Sequence, residues 1–172
     1  MPRLGRTFGR GIVVIFAVIG LMASVQQLRG QSATPMAGFA VTHVGIIVRD
    51  MDKTIQYFEE IFGIDVPAPT EFGPLSLPAD VPGREQSRVK IVQFKLGDLS
   101  IELLQPLRGP GPHRDHLEKF GQGLHHIAFS VKNLESTIGF LLSKGGTRTL
   151  RGYADLKEQL GFTVELSQTP AL

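Results

Sequence analysis

Apolar and polar residues alternate through residues 41–48 (VTHVGIIV), with Val44, Ile46 and Val48 on one face and His43, Gly45 and Ile47 on the other. That is the pattern of a strand half-buried in a sheet. The period then changes: residues 51–62 place Ile55, Phe58, Ile61 and Phe62 at helical spacing, behind Asp50 or Asp52 as a cap. Gly63 follows and suits a left-handed stop. The same succession returns 83 residues later, so that residues 124–146 lie ungapped on 41–63 and His43 falls on His126. A second pair, IELLQP at 101–106 and VELSQTP at 164–170, repeats at an offset of 63 and sets Glu102 on Glu165.

Between the copies, residues 65–86 hold five prolines and read as a long loop with at most a short edge strand. Residues 89–96 and 99–105 flank Gly97-Asp98, a tight hairpin signal. A connector over 108–122 carries a short helical stretch at 114–120, with His113 and His116 expected at its polar surface. The second copy opens with a strand at 126–131 and a helix at 134–144 whose buried stripe is Ile138, Leu141 and Leu142. Two short strands within 147–156 and a closing strand at 162–167 complete it. Each copy therefore reads β-α-β-β-β. The expected fold is α+β: two tandem βαβββ modules, about 41–107 and 124–170, forming one domain over 41–170 with an open eight-stranded cleft or barrel.

The faces of four of these strands select the candidate site. His43 shares its face with Gly45, Glu102 with Ser100, His126 with Ala128 and Ser130, and Glu165 with Thr163 and Ser167. The opposite faces carry bulky apolar residues that belong against the helices. The cleft is thus lined by two imidazoles and two carboxylates. Carboxylates removed from water need a charge partner. A single divalent cation supplies it, and imidazole with carboxylate but no thiolate suits Zn, Mn, Co, Ni or Fe(II). Four protein ligands would leave two positions of an octahedral ion for substrate oxygens. His125 is expected on the face opposite His126, as a structural residue or a donor behind the ligands.

Charge changes the picture only at the start of the chain. The formal charge is +2, but Arg3, Arg6, Arg10 and Arg29 lie in one segment without acids, and the remainder carries 14 basic against 16 acidic residues. No basic stripe remains to follow a nucleic acid, which is excluded as a partner. The arginines, the apolar run 11–25 and the small residues near Gly30 and Ser32 read as a signal peptide over 1–32, followed by a linker at 33–40. The run is shorter than the ~20 residues of a membrane span. The expected destination is the periplasm or the exterior, with no stable span after cleavage and a membrane anchor if the signal is retained. The chain has no Cys, which excludes a lipoprotein anchor, disulfides and thiolate metal sites.

The runs T-H-V-G-I-I-V-R-D-M-D, I-E-L-L-Q-P-L, G-Q-G-L-H-H-I-A-F-S-V and G-F-T-V-E-L resemble the vicinal oxygen chelate superfamily over residues 41–168. That group includes glyoxalase I, methylmalonyl-CoA epimerase, extradiol dioxygenases and fosfomycin or bleomycin resistance proteins, and the epimerase branch is the one most resembled. Carried over position by position, the metal ligands fall on His43, Glu102, His126 and Glu165. The resemblance implies a small-molecule substrate and one divalent ion (Zn, Co, Ni or Mn). It also implies proton transfer next to a carbonyl through an enediolate-type intermediate, with Glu102 or Glu165 as base. The alternatives are an Fe(II) dioxygenase and a binding or resistance protein without turnover. Pairing of modules between two chains, as a homodimer, is compatible with the same pattern.

Overall fold

A computed structural model of the chain describes residues 34–36 and 38–169, so the expected signal peptide lies outside the described residues. The elements run β1 (Ala40–Ile47), α1 (Met51–Phe62), β2 (Thr70–Phe72), a 3-10 turn (Arg84–Gln86), β3 (Arg88–Leu96) and β4 (Leu99–Arg108). They continue with α2 (Pro112–Phe120), β5 (Gly123–Val131), α3 (Leu134–Ser143), β6 (Thr147–Leu150), β7 (Tyr153–Asp155), α4 (Lys157–Leu160) and β8 (Thr163–Gln168). All eight strands join one mixed sheet, ordered β2-β3-β4-β1-β5-β8-β7-β6 and curled into a half-barrel. The first strand of each repeat stands at the centre: β1 and β5 pair antiparallel, and each runs parallel to the last strand of its own repeat.

Equivalent residues start the two main helices in the same way. Asp50 accepts from the backbone N–H of Lys53 at 3.1 Å, and Asn133 accepts from that of Ser136 at 3.0 Å. Each bond satisfies a donor that the first helical turn leaves without a partner. Gly63, at φ 64°, closes α1 in the left-handed conformation expected of it.

Each helix covers its own repeat. Met51, Ile55 and Phe58 of α1 pack on Val44, Ile46, Val48, Ile101 and Leu103. Leu134, Ile138 and Leu141 of α3 pack on Val131, Val164 and Leu166. The concave face of the sheet is thereby left for the polar residues. Two expected stripes are shorter than the sequence suggests. Ile61 is 69% and Phe62 51% exposed, because Ile64 and Val66 fold back after Gly63 and occupy the end of the core instead. Leu142 is 36% exposed, since the buried stripe of α3 runs Leu134, Thr137, Ile138, Leu141 and turns away before it. Strand β4 reaches Arg108, beyond the expected end at 105, and the one-turn α4 has no counterpart in the sequence expectation. Among the described residues no helix is long and apolar enough to cross a membrane.

Candidate metal centre

The pairing of β1 with β5 sets the centre of the cleft. Gly45 lies directly opposite His126, and a Cβ at position 45 would overlap the His126 ring. Only glycine leaves the imidazole that space. The ring is fully buried, with the Tyr153 ring against it at 5.2 Å between centroids and the His43 ring at 5.4 Å. His126 Nε2 faces Glu165 Oε2 at 2.9 Å, Glu102 Oε2 at 3.4 Å and His43 Nε2 at 3.3 Å. His43 Nε2 in turn faces Glu165 Oε2 at 3.1 Å and Glu102 Oε2 at 3.5 Å. The structure thus brings all four sequence-selected residues together, with one ligand atom of each within 4.8 Å of the others.

Their electrostatics follow from this contact. Burial opposes charge on His43, but hydrogen bonds and charge from Glu102 and Glu165 outweigh it and raise the imidazole from 6.5 to about 9. His126 is raised by the same two carboxylates against an even deeper burial. Burial likewise opposes charge on Glu165 and Glu102, and the two histidines overcome it to hold both carboxyls below the usual range. In the protein alone, the two imidazoles and the two carboxyls therefore hold one another toward their charged forms. A divalent cation would supply the positive charge that the two carboxylates call for, and the same four atoms could hold it. The donor set fits such an ion on charge as well as on ligand type.

Tyr153 is absent from the sequence-selected set, although its position is fixed by β7, where it pairs with Glu165. Burial and the charges of Glu165 and Glu102 push its hydroxyl well above 10, so it stands as a neutral donor beside the carboxylates. Its signal is the alternation that puts Tyr153 and Asp155 on one face of a three-residue strand, too short to fix a register by pattern alone.

Three histidines lie elsewhere than expected. His113 and His116 are buried, at 3% and 7% exposure, because the face of α2 that bears them packs toward β5 rather than facing water. Burial lowers both, His113 to about 4, so they are neutral. His125 does not point away from His126. The register slips after Gly45, so that Ile46 pairs with Leu124 and His125 is an extra residue without an opposite number. Such a bulge breaks the alternation and brings two successive side chains to one side. His125 is 1% exposed, and its Nδ1 is 3.0 Å from His126 Nδ1.

The two carboxylates of the cluster face a cavity of about 430 Å³, whose lining includes Glu102, Glu165 and Tyr153 together with Phe72, Leu75, Ile91, Leu150 and Arg151. It is apolar around a polar floor, the make-up of a small-molecule site.

The family model of the Glyoxalase/Bleomycin resistance protein/Dioxygenase superfamily matches residues 42–164. The uncharacterized protein YqjC of Bacillus subtilis (strain 168) is 31% identical over 87 residues, covering 51% of this chain and 54% of that protein. Mitochondrial methylmalonyl-CoA epimerase of Mus musculus is 27% identical over 128 residues, covering 73% of this chain and 65% of that one. Lactoylglutathione lyase of Schizosaccharomyces pombe (strain 972 / ATCC 24843) is 30% identical over 122 residues, 66% of this chain and 40% of the lyase. The chain thus spans about half to two thirds of the length of the first two relatives. Among solved structures, the hypothetical protein BH1468 from Bacillus halodurans C-125 superposes with a TM-score of 0.59 at 20% identity, over 78% of this chain and 97% of that one. A point variant of Streptomyces coelicolor methylmalonyl-CoA epimerase in complex with 2-nitronate-propionyl-CoA gives 0.54 at 20% identity, over 77% and 96%. Both share the fold.

Proposed function

This chain belongs to the Glyoxalase/Bleomycin resistance protein/Dioxygenase superfamily, and on that premise we propose that it is a divalent-metal enzyme that moves a proton next to a carbonyl group of a small molecule. The observation that carries this reading is the convergence of His43 and Glu102 from one repeat with His126 and Glu165 from the other, the two carboxylates lining an apolar cavity. These four residues would hold Zn, Co, Ni or Mn. Bound there, such an ion supplies positive charge against the oxyanion that develops when the neighbouring carbon loses its proton.

The remaining roles fall to the chain itself. Glu102 and Glu165 reach the site from opposite repeats, so each could serve one side of a substrate carbon as acceptor or donor of the proton. Glu165 is held at 2.9 and 3.1 Å by the histidines, and Glu102 at 3.4 and 3.5 Å. Glu102, the more loosely held, is the better placed to take up a proton. Tyr153 keeps its own proton and can donate to a substrate oxygen, while Leu104, Leu150 and Leu166 exclude water. An epimerase, an isomerase or a lyase could use this arrangement, and the names of two relatives include an epimerase and a lyase. The signal-like segment adds export to the proposal. N-terminal sequencing of protein recovered outside the cytoplasm would show a start near residue 33, and an uncut chain in the cytoplasm would overturn that part.

Elemental analysis of the purified, chelator-free protein tests the core of the reading. About one Zn, Co, Ni or Mn per chain, lost in His126→Ala, supports it. Iron with oxygen consumption points to a dioxygenase, and no bound metal refutes the metal-enzyme reading. With a substrate in hand, unchanged turnover in both Glu102→Gln and Glu165→Gln would remove the carboxylates from the chemistry.

A further inference from the structure

We propose that His125 is a positioning residue for the metal centre: its Nδ1 accepts a hydrogen bond from the Nδ1–H of His126 and so holds the Nε2 of His126 toward Glu102, Glu165 and His43. The inference rests on the metal reading of those four residues and adds a fifth that takes no part in ligation.

The argument begins with what two ring nitrogens 3.0 Å apart require. One must donate and the other accept. His126 Nε2 is the atom that meets the carboxylates and the second histidine. A ring that offers its Nε2 lone pair to a cation must carry its proton on Nδ1. That leaves His125 Nδ1 as acceptor, and His125 must then carry its own proton on Nε2. The buried imidazole ring of a metal-binding histidine needs such a partner on its far nitrogen, ordinarily a carboxylate or a carbonyl oxygen. Here the partner is a second imidazole.

The surroundings make that partner rigid. His125 is 1% exposed, and the rings of His113 and His116 stand edge-on to it at 5.2 and 5.1 Å between centroids. Among the described residues His125 Nε2 has no hydrogen-bond partner, and both ring nitrogens of His113 share that condition. The whole arrangement depends on the bulge at His125, because in regular alternation its ring would lie on the helix-packed face and could not reach His126. The bulge therefore has a use beyond bending β5: it adds the backing residue to the same strand that supplies the ligand.

The test compares His125→Phe, which keeps an aromatic ring but removes the acceptor, with His125→Asn, whose amide oxygen can stand where Nδ1 stood. Zn²⁺ or Co²⁺ affinity is measured by competition with a chelator, and thermal unfolding of the metal-free proteins separates folding from binding. Loss of an outer partner costs about 10- to 100-fold in metal affinity. That loss is expected for the Phe variant at an unfolding temperature near wild type, with the Asn variant recovering most of it. Long-range ¹⁵N–¹H NMR, with His125 assigned by its disappearance in the variants, reads the tautomer directly. A His125 protonated on Nε2 supports the proposal. Protonation on Nδ1, or a Phe variant that binds metal as tightly as wild type, overturns it. If no variant and not even the wild type binds Zn²⁺ or Co²⁺, the metal reading fails, while the tautomer in the metal-free protein still decides what His125 does.

Discussion

Gly45→Ala adds one methyl group at the most constrained point of the cleft. The new Cβ would overlap Cε1, Nε2 and Nδ1 of His126, a ring with no exposed surface to retreat into. Tyr153, His125 and His43 hold that ring from three sides at 5.2–5.4 Å between centroids. Backbone is not at fault in the substitution, since Gly45 does not occupy the left-handed region. The cost is therefore one of overpacking, about 1–3 kcal/mol. Where it appears depends on how the metal-free protein relaxes. If the ring stays, the folded state bears the strain and is destabilised by that amount. If the ring swings aside, stability is kept, but metal binding must restore its position, and affinity falls about 5- to 150-fold for the same energy.

Both quantities can be measured on one preparation. Urea unfolding of the metal-free protein at constant m gives the first, and Zn²⁺ competition with a chelator gives the second. The sum of the two losses should come to about 1–3 kcal/mol however it is divided. Gly139→Ala is the control, because a Cβ there meets nothing within 4 Å and the residue lies inside α3. That substitution should stabilise by about 0.5–1 kcal/mol through helix propensity alone. A Gly45→Ala protein with wild-type stability and wild-type zinc affinity would refute the packing argument and, with it, the placement of His126 opposite Gly45.

The other expectations concern charge and capping. His43 is raised from 6.5 to about 9, so its contribution to the stability of the metal-free protein is fully present below pH 6.5 and is lost as the pH rises to about 9. Glu102 and Glu165 are lowered from 4.5, so theirs is present above pH 4.5 and lost as the pH falls through their folded values. Below pH 6.5 the buried His113, held down to about 4, and His116 must charge on unfolding and so weaken the folded state as the pH falls. Chemical denaturation across pH should therefore show a maximum near pH 6.5, falling to either side, and saturating Zn²⁺ should abolish the alkaline decline. A metal-free protein with no decline above pH 6.5 would count against His43–carboxylate contact. Asp50→Ala and Asn133→Ala remove equivalent caps and should each cost about 0.5–2 kcal/mol in urea unfolding. Little loss at either position would mean the corresponding helix start is held by packing.

The centre was legible because the repeat and the strand period act together. An offset of 83 residues identifies His43 with His126, and alternation then decides which neighbours share their face. What alternation cannot show is a place where it fails. The bulge at His125 leaves no mark in the residues, since a regular strand and a bulged one differ only in pairing, and pairing is a property of β1 as much as of β5. His113 and His116 were hidden for another reason. They sit three residues apart on a helix with few apolar residues, a composition that reads as solvent-facing until β5 supplies His125 for them to pack on. Ile61 and Phe62 show the opposite error: their helical phase was correct, but the core they pointed toward had been filled by residues beyond the turn.

One feature of the repeat acquires its meaning only from the sheet. Each copy places a very small residue two positions after its histidine: Gly45 after His43, and Ala128 after His126. In the antiparallel pairing of β1 with β5, those positions exchange partners, so Gly45 lies opposite His126 and Ala128 opposite His43. The His-x-small pattern is thus half of an interaction in each copy, and the other copy completes it. Neither repeat can seat its imidazole alone. The two halves are also unequal. The ring facing glycine is fully buried, whereas the ring facing alanine retains 13% exposure and lies at the more open side of the carboxylates. Duplication of one unit therefore accounts for the four donor atoms, and the loss of a single methyl group at position 45 accounts for how deeply one of them is set.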